Sequence, residues 1–149
     1  MSYKFHSNSK ESTINFAKEL GPKLKNGSVI CFYGDLGAGK TTFIKGLAQG
    51  LDIKETVQSP TFNIMKLYFS GIRPLIHIDA YRLVDNENDI GLDEYIGYEK
   101  GITVIEWPMY IEKLLPKNFI KVSIEYLSEN ERIYTLENEE LFLEGNING

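Results

Sequence analysis

The stretch Gly34-Asp35-Leu36-Gly37-Ala38-Gly39-Lys40-Thr41 matches G-x-x-x-x-G-K-[ST], the pattern of a phosphate-binding loop. The pattern carries weight only between a strand and a helix, and the flanking residues supply both. Before it, Ser28-Val29-Ile30-Cys31-Phe32-Tyr33 is an apolar run bounded by Asn26-Gly27 and Gly34, which suits a buried strand. After it, Phe43, Ile44, Leu47, Ala48 and Leu51 recur at helical spacing. The glycines let backbone N–H groups turn inward around phosphate oxygens, and the following helix adds its positive end. Lys40 is placed to reach the β- and γ-phosphates of a nucleoside triphosphate, and the Thr41 hydroxyl to ligate Mg²⁺. The expected binding set is Gly37, Ala38, Gly39, Lys40, Thr41 and Thr42.

Outward from the loop, Ile14, Phe16, Ala17, Leu20 and Leu24 predict a helix over 9–25, capped by Ser9 or Ser12 and broken or kinked near its end by Gly21-Pro22. Downstream, 61–69 and 74–79 around the Ser70-Gly71 turn predict a β-hairpin. A short helix is expected around 92–96, and a strand at 101–105 stopped by Pro108. Two late strands are predicted at 119–127 and 131–136, followed by a polar tail over 137–149 with no evident task. No repeat or linker interrupts the chain, so 1–149 reads as one α/β domain of P-loop type.

Magnesium held at such a loop needs a second protein anchor, usually a carboxylate at the end of a neighbouring strand. Asp79 ends Leu75-Ile76-His77-Ile78-Asp79, and Glu106 ends Ile102-Thr103-Val104-Ile105-Glu106. Either acid would emerge at the rim of a sheet, as a metal or metal-water ligand or as the group that orients attacking water. His77, inside a strand, reads as a core or hairpin residue, and Trp107 as packing at the pocket edge. Ser59-Pro60-Thr61 lies where P-loop proteins carry a nucleotide-sensing segment, and a plain turn is the alternative.

The chain has 149 residues, 42% of them apolar and 12% aromatic, enough to bury a core. A net charge of −5 argues against gripping nucleic acid through a broad basic surface. The single cysteine, Cys31, cannot close an internal disulfide and reads as inert core. Neither a signal peptide nor a membrane span is visible, so a soluble cytoplasmic protein is expected. No Asn-Lys-x-Asp guanine-reading motif occurs, which favours ATP over GTP. Arg73, Arg82 and Arg132 are the only arginines, few for a small-molecule kinase that must neutralise a transferring phosphate. That kinase is the alternative reading, and a nucleotide-dependent binding module without hydrolysis is a third.

The run GDLGAGKTTF at 34–43, SPTF at 59–62, HIDAYRL at 77–83 and IEW at 105–107, in this order and in a chain this short, resembles the TsaE family. These blocks span about half the chain. The loop is generic, whereas Asp-x-Tyr-Arg together with Glu-Trp is specific. The resemblance implies a P-loop fold with a mixed, mostly parallel sheet between helices, weak ATP hydrolysis, and no tRNA chemistry of the protein's own. It implies a role as the ATPase subunit of the bacterial machinery that makes threonylcarbamoyladenosine (t6A) in tRNA. The implied partners are the threonylcarbamoyl transferase subunit and its inactive paralogue, without strong direct tRNA binding or a membrane. Carried over by position, Lys40 and the loop amides bind phosphates, Thr41 and Glu106 hold Mg²⁺, and Asp79 supports the metal site or hydrolysis. Ser59-Pro60-Thr61 becomes the nucleotide-responsive segment.

Overall fold

The computed structural model describes residues 2–34, 39–58, 64–83, 91–145 and 147. Seven strands form one mixed sheet: β1 (Ser2–Ser7), β2 (Val29–Tyr33), β3 (Met65–Tyr68), β4 (Leu75–Asp79), β5 (Ile102–Glu106), β6 (Ile120–Tyr126) and β7 (Arg132–Glu137). Their order across the sheet is β1-β7-β6-β2-β5-β4-β3. The four central strands, β6, β2, β5 and β4, run parallel. Antiparallel hairpins β3–β4 and β6–β7, with β1 laid against β7, close the two flanks. The expected α/β class and mixed, mostly parallel sheet are thus observed.

Both α-helices, α1 (Lys10–Leu20) and α2 (Lys40–Gly50), cover one face. Ser9 caps α1, its Oγ accepting from the Ser12 amide at 3.0 Å. Leu20 is followed directly by a 3₁₀ turn at Gly21–Lys23, where Pro22 ends the α-helical hydrogen bonding. Ala17, Leu20, Phe43, Ile44 and Leu47 pack on Ile30, Phe32, Val104 and Val122 of the sheet. The helices approach closely because α2 offers glycine where they touch: a Cβ on Gly46 would lie 2.7 Å from the Cβ of Ala17. The opposite face, with Cys31, Ile76, Ile78 and Ile105, is covered by short 3₁₀ turns at Ala80–Leu83, Leu92–Glu94 and Pro108–Leu114. The helix expected around 92–96 is therefore one 3₁₀ turn. Cys31 is fully buried, and burial pushes its thiol up to about 12, as an inert core position requires.

Two terminal segments carry more structure than expected. The N-terminal residues form edge strand β1, in which Tyr3 and Phe5 turn inward between exposed Lys4 and His6. The tail is not idle: Leu143 is buried and bridges to Leu24, and the Phe142 carbonyl accepts from the Lys25 amide at 2.7 Å. Arg73, between β3 and β4, donates to the carbonyls of Gly21 and Leu24 and pins the same corner. No helix among the described residues is long and apolar enough to cross a membrane.

Candidate functional site

Gly34 ends the described part of β2's exit and Gly39 begins α2, so the gap between them is spanned by 35–38. Gly37 and Ala38 fall in that segment, outside the described residues, as does Ser59-Pro60-Thr61. Gly39, Lys40, Thr41 and Thr42 lie together on the first turn of α2. Gly39 has φ 111°, a left-handed conformation that disfavours any side chain. A Cβ there would also lie 2.5 Å from the hydroxyl of Tyr134, so glycine is required twice over. No side chain caps this end of α2 among the described residues. The amides of such a turn lack acceptors within their own helix, which suits phosphate oxygens.

The parallel strands bring both candidate carboxylates to this end of the sheet. Glu106 is the register partner of Phe32 on β2 and of Asp79 on β4, so it stands between the strand feeding the loop and the second acid. Adjacent strands lie roughly 4.8 Å apart, and register partners in parallel strands share a face. Here that face is the one α2 covers. Glu106 is only 5% exposed. Its Oε2 lies 2.7 Å from Nε2 of His77, which is itself fully buried. Asp79 is half-buried, and its Oδ1 accepts from the Tyr81 amide at 3.1 Å, opening the next 3₁₀ turn. Sequence reasoning placed His77 in the core, as found, but missed its partner.

Trp107 has φ 57° and ψ 49°, an uncommon left-handed conformation for a bulky residue. The turn sets its ring 3.9 Å below the ammonium of Lys40, which is 5% exposed. Such a cation–π contact contributes on the order of 0.5–2 kcal/mol. Tyr110 stacks on the indole and Tyr81 tilts against it. Trp107 therefore does pack at the rim, and it packs on Lys40, the lysine of the G-x-x-x-x-G-K-[ST] pattern.

A cavity of about 140 Å³ opens beside Gly39, lined by Ser7, Ser9, Thr13, Thr42, Arg132 and Tyr134 among others. Ser7 and Thr13 hydroxyls share a hydrogen bond of 2.6 Å, Thr13 donates to Tyr134 at 3.4 Å, and Tyr134 donates to the Gly39 carbonyl at 3.3 Å. These residues come from β1, α1 and β7 and carry no local motif. Arg73 and Arg132 are engaged with backbone carbonyls, Arg132 with that of Ser128 at 2.6 Å.

Among the described residues no group of three or more His, Cys, Asp or Glu side chains is arranged to hold a metal by itself. The residues present fit Mg²⁺ arriving with a triphosphate: a buried carboxylate and a helix-start hydroxyl suit the metal, and a lysine and a glycine turn that excludes a side chain suit the phosphates.

Known proteins match this architecture. The family model for threonylcarbamoyl adenosine biosynthesis protein TsaE matches residues 7–134. A tRNA threonylcarbamoyladenosine biosynthesis protein TsaE of Bacillus subtilis is 45% identical over 84% of this chain and 78% of its own length. That of Treponema pallidum is 39% identical, over 87% of this chain and 96% of its own. The crystal structure of YdiB from Bacillus subtilis superposes with a TM-score of 0.79 at 36% identity, covering 98% of this chain and 88% of that one. On both sequence and fold, the chain belongs to the TsaE family.

Proposed function

We propose that the whole chain, 1–149, acts as one ATPase domain in bacterial t6A biosynthesis. It binds ATP with Mg²⁺, hydrolyses it slowly, and works in the cytoplasm by docking on the threonylcarbamoyl transferase subunit and its inactive paralogue. The observation that carries this reading is the convergence of Gly39, Lys40 and Thr41 at the start of α2 with buried Glu106 at the end of β5. The relatives are named for t6A biosynthesis, which supplies the pathway.

In this reading the loop amides and Lys40 bind the phosphates, and Lys40 exchanges the Trp107 ring for phosphate oxygens. Thr41 and Glu106 hold the metal, with Asp79 supporting it or the hydrolytic water. When bound, Mg²⁺ supplies positive charge to the β- and γ-phosphate oxygens. The nucleoside end extends past Gly39 into the hydroxyl-lined cavity formed with Ser9, Thr42 and Arg132. Arg73 and Arg132 already serve backbone carbonyls, so the arginine cluster a small-molecule kinase needs is poorly supplied.

A ligand shifts a conformation only through its different affinities for two states, so ATP and ADP must favour different forms of the docking surface. Ser59-Pro60-Thr61 is the segment to which we assign that response. The test is the affinity for the purified transferase complex with a non-hydrolysable ATP analogue and with ADP. The expected result is at least a tenfold difference that Thr61→Ala reduces; binding indifferent to nucleotide overturns the reading.

A further inference from the structure

His77 sits at the centre of β4, facing α2, with Leu75 before it on the same face and Val104 as its register partner. An imidazole buried among such neighbours costs stability unless its nitrogens find partners. Nε2 has one, Glu106 Oε2 at 2.7 Å. Nδ1 has none among the described residues. A carboxylate accepts, so Nε2 is the ring nitrogen that donates to Glu106. Parity explains how they meet: residues 75, 77 and 79 of β4 and 102, 104 and 106 of β5 point to one face, and Glu106 lies one pleat beyond Val104 along the diagonal.

From this geometry we propose that His77 is the positioning residue for Glu106, fixing the rotation of its carboxylate at the start of the metal site. The inference rests on the assignment of Glu106 to that site. A glutamate carboxylate turns about two torsions beyond its Cβ, and a short bond from a rigid, fully buried ring restricts that rotation. Partners that orient a metal ligand in this way are worth roughly 10- to 100-fold in affinity or activity. Strand β4 thus acts on the site twice, through Asp79 at the rim and through His77 beneath it.

Two measurements test the proposal. Nitrogen NMR of the uniformly labelled, nucleotide-free protein reads the tautomer directly, and with only two histidines in the chain a His6→Asn variant assigns the signals. The expected spectrum for His77 has a protonated Nε2; an Nε2 without a proton overturns the proposal. Phosphate release from MgATP in the presence of the transferase complex is then compared across variants. His77→Leu is expected to lower kcat at least tenfold while metal-free ATP affinity stays within about twofold. His77→Gln, which keeps an N–H at the same reach, is expected to recover most of the loss. A thermal melt of each variant separates misfolding from mispositioning, because a merely structural histidine would change Tm without a rescue of kcat by glutamine. Unchanged kcat in His77→Leu while Glu106→Gln is impaired overturns the positioning role alone. Unchanged turnover in Glu106→Gln overturns both this role and the metal-site assignment.

Discussion

The hydroxyl of Tyr134, on β7, donates to the carbonyl of Gly39 at 3.3 Å and stands where a side chain on that glycine would have to go. The strand next to the sheet's edge thereby holds the start of α2, through a ring that is itself buried against Phe43. Through Thr13 and Ser7 the same hydroxyl is linked to α1 and β1. The strand order explains why: β7 reaches this end of α2 only because the antiparallel pair β6–β7 is attached to β2.

Gly39→Ala is therefore expected to abolish measurable ATP binding by calorimetry while leaving a folded protein by circular dichroism. The left-handed backbone alone costs an alanine about 1–2 kcal/mol, and the collision with Tyr134 adds to it. Tyr134→Phe removes the bond but keeps the ring, and is expected to lower stability by only about 1 kcal/mol in a denaturant titration. Wild-type ATP affinity in Gly39→Ala would show that the loop does not use this conformation.

Lys40→Ala removes the only loop charge placed to meet the phosphates, and ATP affinity is expected to fall by at least about 100-fold. Trp107 is the sole tryptophan and lies against that ammonium, so its emission reports the exchange of partners. Wild-type fluorescence is expected to change on ATP addition, whereas Lys40→Ala starts from an altered spectrum and shows no response. GTP is expected to compete poorly. Equal competition by the two nucleotides would refute the preference for ATP.

Glu106→Gln is expected to slow MgATP turnover by roughly 10- to 100-fold with a much smaller change in metal-free ATP binding. Asp79→Asn is expected to do less, because Asp79 lies one strand further from β2 and already caps a turn through Tyr81. Phosphate-release assays on both variants check the ranking, and the reverse order would assign the principal metal role to Asp79.

The part of this fold legible in sequence was the part fixed by local pattern. The strand and helix on either side of the loop, the β3–β4 hairpin and the ends of β4 and β5 all carry their signals within a few residues. The two strand-end acids read alike in sequence, and the register sets Glu106 beside β2 with Asp79 one strand further out. What was not legible depends on distant pairing. Strand β1 shows the alternation Tyr3, Lys4, Phe5, His6, but its status as a strand comes from β7, more than a hundred residues away. His77 in an apolar run was a signal that a buried ring needed a partner, yet only the parity of two parallel strands identifies Glu106. The hydroxyls around Gly39 are scattered over four elements and announce nothing individually.

The tail supplies a prediction about stability. Glu139 is buried in the 3₁₀ turn Glu139–Leu141, and its Oε2 has no hydrogen-bond partner among the described residues. Burial, with a smaller push from the charge of Glu140, raises its carboxyl above the ordinary 4.5. The folded protein therefore holds this proton to higher pH than the unfolded chain does. Between 4.5 and the raised value the folded state binds more protons, so stability falls as pH rises through that window and stays reduced above it. This sign is opposite to that of a salt-bridged carboxylate. Glu139→Gln removes the charge at nearly constant size and is expected to melt higher than wild type at about pH 7.5, with the advantage shrinking as pH is lowered through the window. Thermal melts across that range check it. A difference in Tm that does not depend on pH would mean that the carboxyl is ionised alike in the folded and unfolded chains.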